Sequence, residues 1–266
     1  MKNFIFSTFI LIIFSGCSQQ KINTSTAPTN TQSNQSLPAD PTVINDAFTL
    51  LKLKSIEYKQ RYGLSDVFSK LIDNLGNKYD NLYGVRNFRV VLHGVYYRGG
   101  ANNAYNKIDG VRDNSNPLQQ GGLTNLCEEG FPSAIYLYPN NYNTAAKVTT
   151  CKNFKNETQT LNYENIIGLD TQTTPKFIAK VFNVIKGTAV GPIYGHCWNG
   201  WHASGYVAAT LLKQFCGYSD MQALDYWIKN TDKNDQGYDS EKKMVTDFKP
   251  ITKYLISKAE SDLICP

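Results

Sequence analysis

The sequence predicts an α/β domain with a central mixed sheet flanked by helices and a helical C-terminal part. Between residues 88 and 196, runs rich in β-branched and aromatic residues alternate with segments of helical spacing, the signature of layered strands and helices. From residue 204 onward only helical periodicity is present. A chain of 266 residues with 41% hydrophobic and 12% aromatic content can bury the core of one ordinary domain beside its processing segments.

Taken in order, Val43 to Tyr58 has helical spacing, and Leu64 to Leu75 reads as a second helix. Phe88 to Tyr97 reads as a strand entering a turn at Gly99-Gly100. Pro117 to Glu129 has helix character weakened by Gly121-Gly122, and Gly130 stands where a C-terminal cap would lie. Ser133 to Tyr138 is a short buried strand and Thr158 to Leu169 another. Pro175 to Lys186 is an amphipathic helix with proline suitably at its start, and Val190 to His196 is a strand. Ser204 to Cys216 places Val207, Ala208, Leu211, Leu212 and Phe215 on one face, and Gly217 ends it. Asp220 to Lys229 and Ser240 to Ala259 follow as helices, with residues 230 to 239 as a polar, mobile loop between them.

The N-terminus reads as an export signal, residues 1–16: Met1-Lys2-Asn3 is the positive start, and the apolar run Phe4 to Phe14 is short for a membrane span. Phe14-Ser15-Gly16-Cys17 resembles the bacterial lipobox, which implies a lipid on Cys17 and attachment to a membrane of the cell envelope. Ser18, rather than Asp, after the cysteine is similar to outer-membrane sorting where such a membrane exists. Residues 17–41, rich in Gln, Asn, Thr, Ser and Pro, read as a flexible tether, because that composition cannot offset its ordering entropy by burial. Residues 42–266 form the folded domain. The net charge of +5 is spread along the chain, not gathered in a block, and does not indicate nucleic-acid binding.

Of six cysteines, five remain if Cys17 carries lipid. Cys127, Cys151, Cys216 and Cys265 can form two pairs and leave Cys197 free, although spacing does not fix the pairing. Several buried reduced cysteines is the alternative.

The most informative stretch is Gly195-His196-Cys197-Trp198-Asn199-Gly200-Trp201-His202-Ala203-Ser204-Gly205, between an apolar strand and a periodic helix. A strand, loop and helix of this kind makes an anion cradle, in which loop amides and the free donors of the helix N-terminus face one spot. A cysteine there is a candidate nucleophile.

These residues resemble the signature of the cysteine-dependent tyrosine and dual-specificity phosphatases: His-Cys, two residues, Gly, two residues, Arg, then Ser or Thr and Gly. His196, Cys197, Gly200, Ser204 and Gly205 fall in register, and Ala203 occupies the arginine position. The resemblance covers roughly residues 86 to 228. It includes Asn87-Phe88-Arg89 through Gly100 as the opening strand and its Tyr-Arg-Gly turn, Leu118 to Tyr138 as a helix and second strand, and Gly217 to Leu224 as the turn and helix after the phosphate loop. It implies a phosphotyrosine protein phosphatase-like fold, with Cys197 as attacking thiolate, His196 orienting the loop, Gly200 permitting its path and Ser204 assisting departure of the cysteine. Asp170 is the best-placed carboxylate for the general acid, though Pro175 is displaced from the family's usual setting.

Removing one oxyanion donor typically costs about 10²–10³ in rate, and an arginine finger is worth about 10³–10⁵. Ala203 supplies neither charge nor donor, so efficient hydrolysis would need a substitute cation. All five arginines, Arg61, Arg86, Arg89, Arg98 and Arg112, precede the loop. Arg98, at the end of a strand, is the favoured substitute, and His202 can donate when protonated. Trp198 and Trp201 make an aromatic wall, and Asn199 completes the ligand-facing set. The expectation is therefore a pseudoenzyme-like lipoprotein that binds an anionic ligand, a phosphoester or a protein partner with weak, altered or absent hydrolysis. The alternative is an atypical phosphatase with a substitute cation. No cofactor is implied. A zinc or copper site on His196, Cys197 and His202 is conceivable but lacks a fourth ligand. A nucleotide-binding phosphate loop is excluded by the absence of Gly-Lys-Ser/Thr.

Overall fold

A computed structural model of the chain describes residues 41–101 and 117–266. The expected leader, Cys17, the tether up to residue 40, and Arg112 lie outside the described residues. In chain order the elements are α1 (Pro41–Tyr62), β1 (Val85–Leu92), β2 (Tyr96–Ala101), α2 (Gln120–Glu128), β3 (Ser133–Tyr136), β4 (Val148–Lys152), β5 (Thr158–Asn165), α3 (Thr174–Ile185), β6 (Ile193–Cys197), α4 (His202–Cys216), α5 (Asp220–Lys229), α6 (Asp239–Asp247) and α7 (Lys258–Ile264). The fold is mixed α/β.

The six strands form one sheet in the order β1-β2-β6-β3-β5-β4. The inner strands β2, β6, β3 and β5 run parallel, and an antiparallel strand closes each edge. Alternation along the strands sorts side chains onto two faces. Tyr96, Ile135 and Ile193 join an apolar cluster with α3, α4 and α5, whereas Tyr97, Ala134, Tyr136 and Tyr194 join one with α2 and the end of α1. The second layer is largely aromatic, with Phe88 stacked between Tyr97 and Tyr194 at centroid distances of 5.4 and 5.7 Å. Disulfides Cys127–Cys151 and Cys216–Cys265 form, leaving Cys197 as the free cysteine among the described residues.

Several expected elements differ. Leu64 to Leu75 is not helical: Gly63 turns left-handed with φ +61°. Beyond it, Asp66 takes the amides of Phe68 and Ser69, and Asp73 those of Leu75 and Asn77, as side chains competing for backbone donors do. Phe88 to Tyr97 is two antiparallel strands, because the chain reverses at Gly94 (φ +68°), and Gly99-Gly100 lies inside β2. The edge strand β4 was not expected; its outward positions are polar or exposed. Ser240 to Ala259 breaks into α6 and α7 around Pro250, which disfavours helix in the residue before it. The 230 to 239 loop is fastened, with Asn230 and Thr231 buried.

Candidate active site: a thiol loop with two unlike sides

Cys197 ends β6, the inner strand between β2 and β3, and α4 begins at His202, so Trp198 to Trp201 must reverse the chain within four residues. Gly200 makes this possible with φ +73°. A Cβ on Gly200 would lie 2.6 Å from the carbonyl carbon of Gly99, and one on Gly100 would lie 2.4 Å from Trp198 O. The loop therefore presses on β2 backbone to backbone.

On the side facing β1 and β2, every loop carbonyl is occupied. Ala101 N–H donates to Trp198 O at 3.0 Å, and Asn87 Nδ2 donates to Asn199 O at 2.7 Å. Arg98 Nη2 donates to Gly200 O and, at 3.2 Å, to Trp201 O. It also lies 3.3 Å from Ser204 Oγ, while Nη1 donates to the Tyr226 hydroxyl. Arg98 is fully buried. Its guanidinium thus braces the loop from behind and does not enter the ligand space that the sequence suggested for it.

His196 is buried in the same layer, stacked on Tyr136, Tyr163 and Tyr194. Its Nδ1 lies 3.1 Å from Cys197 O, and a carbonyl only accepts, so Nδ1 carries the proton. Nε2 then accepts from the Tyr163 hydroxyl at 2.7 Å, whose oxygen accepts from Leu118 N–H. Burial pushes His196 down to about 4, against the opposing bond to Cys197 O. Its ring nitrogens are both engaged away from the thiol, and among the described residues no group of three or more metal-ligating side chains converges.

The opposite side is open. The main-chain N–H groups of Trp198, Gly200, His202, Ala203 and Ser204 have no acceptor among the described residues. The last three are the first turn of α4, whose donors run out along the helix axis. Cys197 Sγ reaches that turn, 3.5 Å from Ser204 Oγ. The thiol, Trp198, Asn199, Trp201, His202 and Ala203 line a cavity of about 540 Å³. One wall pairs Trp198 with Tyr138 at 5.0 Å, and another stacks His202 on Tyr238 at 3.7 Å. His202 Nε2 donates to Asn234 O at 2.6 Å, and burial lowers its pKa although Asn234 opposes this.

Asp170 lies just before α3, next to the cavity-lining Leu169 but not itself on the lining. Its Oδ1 accepts from Gln172 N–H and its carbonyl from Thr173 and Thr174. Ala203 lines the cavity, and a Cβ added to the facing Gly168 would be 3.4 Å from the Ala203 methyl.

Sequence reasoning did not single out Tyr163, Asp232 or Lys233, and it placed Asn87 in the opening strand without a role at the loop. Asp232 joins the loop to the rest of the molecule. Its carboxylate accepts from Trp201 Nε1 at 3.1 Å and pairs with Lys70 at 2.7 Å and Arg89 at 3.4 Å. Burial alone would raise Asp232, but the Lys70 bond and the Arg89 charge outweigh it and hold the carboxyl below its usual range. Burial, then Arg98, pushes Arg89 down to about 10. The loop's rear is therefore rich in positive charge. Lys233 and Glu241 are the charged residues on the cavity lining. A run such as Asn230-Thr231-Asp232-Lys233-Asn234, rich in turn formers and carrying one cation, was the signal available in the sequence. No protein-family model matches the chain, and no curated protein matches it.

Proposed function

We propose that this chain is a phosphotyrosine protein phosphatase-like protein whose loop holds a phosphoester, or another oxyanion, against Cys197, with weak or absent turnover. The observation that carries the reading is the one-sided bonding of the loop: its carbonyls are engaged on the β1–β2 side, and five amide donors between Trp198 and Ser204, in the stretch that directly follows the free thiol, have no acceptor among the described residues. Such a set of donors suits a tetrahedral anion. Ala203 supplies no cation to stabilise charge on the equatorial oxygens in transfer, which is why turnover is weak in this reading. The strand order with parallel inner strands, and a thiol between β6 and α4, supports the fold assignment. The lipobox-like Phe14 to Cys17 adds a lipid on Cys17 and a place in the cell envelope, outer membrane included. Labelling cells with a fatty-acid analogue would show incorporation in the parent chain and none in Cys17→Ala.

The purified full-length chain, titrated with sodium tungstate and assayed on p-nitrophenyl phosphate, tests the site. Tungstate binding with turnover near the blank is expected, and Ala203→Arg is expected to raise turnover by about 10²–10³. A parent chain that binds no tungstate ends the proposal. Rapid turnover abolished in Cys197→Ser would replace it with an active phosphatase.

A further inference from the structure

Resting on the oxyanion-binding reading above, we propose that Lys233 supplies, from a different part of the chain, the cation that position 203 does not, and that the turn carrying it is built to deliver it. Arg98 is committed to loop carbonyls and His202 donates its Nε2–H to Asn234 O. Lys233 is the lysine on the cavity lining, and it forms no ion pair among the described residues.

The backbone under Lys233 is unusual. Asp232 and Lys233 are consecutive non-glycine residues in the left-handed region, with φ +52° and +69°. L-residues resist that region, and it persists where surrounding contacts over-determine it. Those contacts are visible. Asn234 Nδ2 donates to Thr231 O at 2.9 Å and to Asp232 O at 3.0 Å, closing the turn, while Thr231 beneath it is buried.

The turn is also stapled to the thiol loop on both sides of Lys233. Asp232 accepts from Trp201 Nε1, and Asn234 O accepts from His202. Trp201 and His202 are the two residues immediately before Ala203. The two staples thus fix the turn that carries Lys233 against the residues preceding Ala203, and Lys233 and Ala203, the position where the signature has a guanidinium, line the same cavity. An ammonium is a compact point charge on a flexible stem, able to meet an anion's outer oxygens but without the bidentate fork. Binding is retained by such a substitute, while the planar clamp on a transferring group is lost.

Tungstate titration of the full-length chain at two ionic strengths, with melting temperatures measured in tungstate-free buffer, tests this. Lys233→Gln is expected to weaken tungstate binding by about tenfold or more and to flatten its salt dependence. Lys233→Arg is expected to bind within about threefold of the parent, since it restores a charged donor. Lys233→Gly is expected to melt higher than the parent, because glycine accepts the left-handed backbone, and yet to bind as poorly as Lys233→Gln. Parent-like binding by both Lys233→Gln and Lys233→Gly overturns the inference while leaving the oxyanion reading standing. No binding by the parent chain itself overturns that reading, and the inference with it.

Discussion

The two sides of the thiol loop are made of opposite things. The side facing β1 and β2 meets the carbonyls of Trp198, Asn199, Gly200 and Trp201 with buried donors from Ala101, Asn87 and Arg98. The cavity side leaves amide donors without acceptors and carries aromatic walls with Lys233 and Glu241 as its charged residues. One arrangement entails the other: once every carbonyl is fixed to the rear, the alternating peptide groups have little choice but to present N–H groups to the front. In the proposed reading stability belongs to the rear and oxyanion affinity to the front, and variants on the two sides should separate these properties.

Arg98→Met should have the largest effect. It strips from the buried Gly200 O the donor that Arg98 supplies, a loss of about 1–3 kcal/mol, and weakens Trp201 O and Ser204 Oγ, which keep Gly205 N–H and the Cys197 thiol as partners. A loss of about 3 kcal/mol in urea unfolding, with tungstate binding lost only as the chain unfolds, would fit a rear position. Full stability with lost binding would place Arg98 functionally at the front and break the contrast.

Acid tests the same layer without a mutation. His196 is held down to about 4 when folded, against 6.5 when free, so between those values the unfolded chain binds the extra proton. Its contribution is fully present above pH 6.5 and is lost as pH falls toward 4. At about 1.36 kcal/mol per unit, unfolding free energy should drop by about 2–3 kcal/mol across that window for this histidine. His93, also buried and pushed down to about 4 by burial and then by Lys59, adds to the slope. Unfolding curves collected at pH 7, 5.5 and 4.5 that superimpose would contradict this. His196→Asn should make the dependence shallower without removing the part due to His93.

The smallest rear effect is expected for Asn87→Gly. Asn87 has φ +50°, so glycine removes the donor to Asn199 O without imposing backbone strain. A cost of about 1 kcal/mol in urea unfolding is expected, with tungstate affinity within twofold or so of the parent.

Much of the architecture was legible because it is written in local pattern. The apolar run into Cys197 and the periodic face from Ser204 to Phe215 specify β6, the loop and α4 whatever surrounds them. Asp220–Lys229 was equally plain, closed at its start by Ser219 and Gln222 in reciprocal capping bonds. What escaped depends on distant partners. Leu64 to Leu75 has apolar spacing suited to a helix, but Leu71 N–H donates to Phe88 O and Asp73 O accepts from Asn87 N–H, tying the segment alongside β1. The turn at Gly94 lacked a two-residue hairpin signature, so one strand was read where there are two. Arg98 sat at the right place in the chain, yet which way its side chain leaves β2 is set by its neighbours across the sheet. Lys233 follows the loop by 36 positions from Cys197, and no linear spacing advertises that Trp201 and Asp232 meet.

The two disulfides have a consequence for how this molecule ages. With Cys127, Cys151, Cys216 and Cys265 tied in pairs, a sulfenic acid formed at Cys197 would find no neighbouring sulfhydryl in the described domain to resolve it. Repair must come from an external reductant small enough to enter between the Trp198 and Tyr238 walls. The same solitude makes Cys197 a single attachment point in the domain for a thiol-reactive fluorophore, which would watch the mouth of the cavity from its floor.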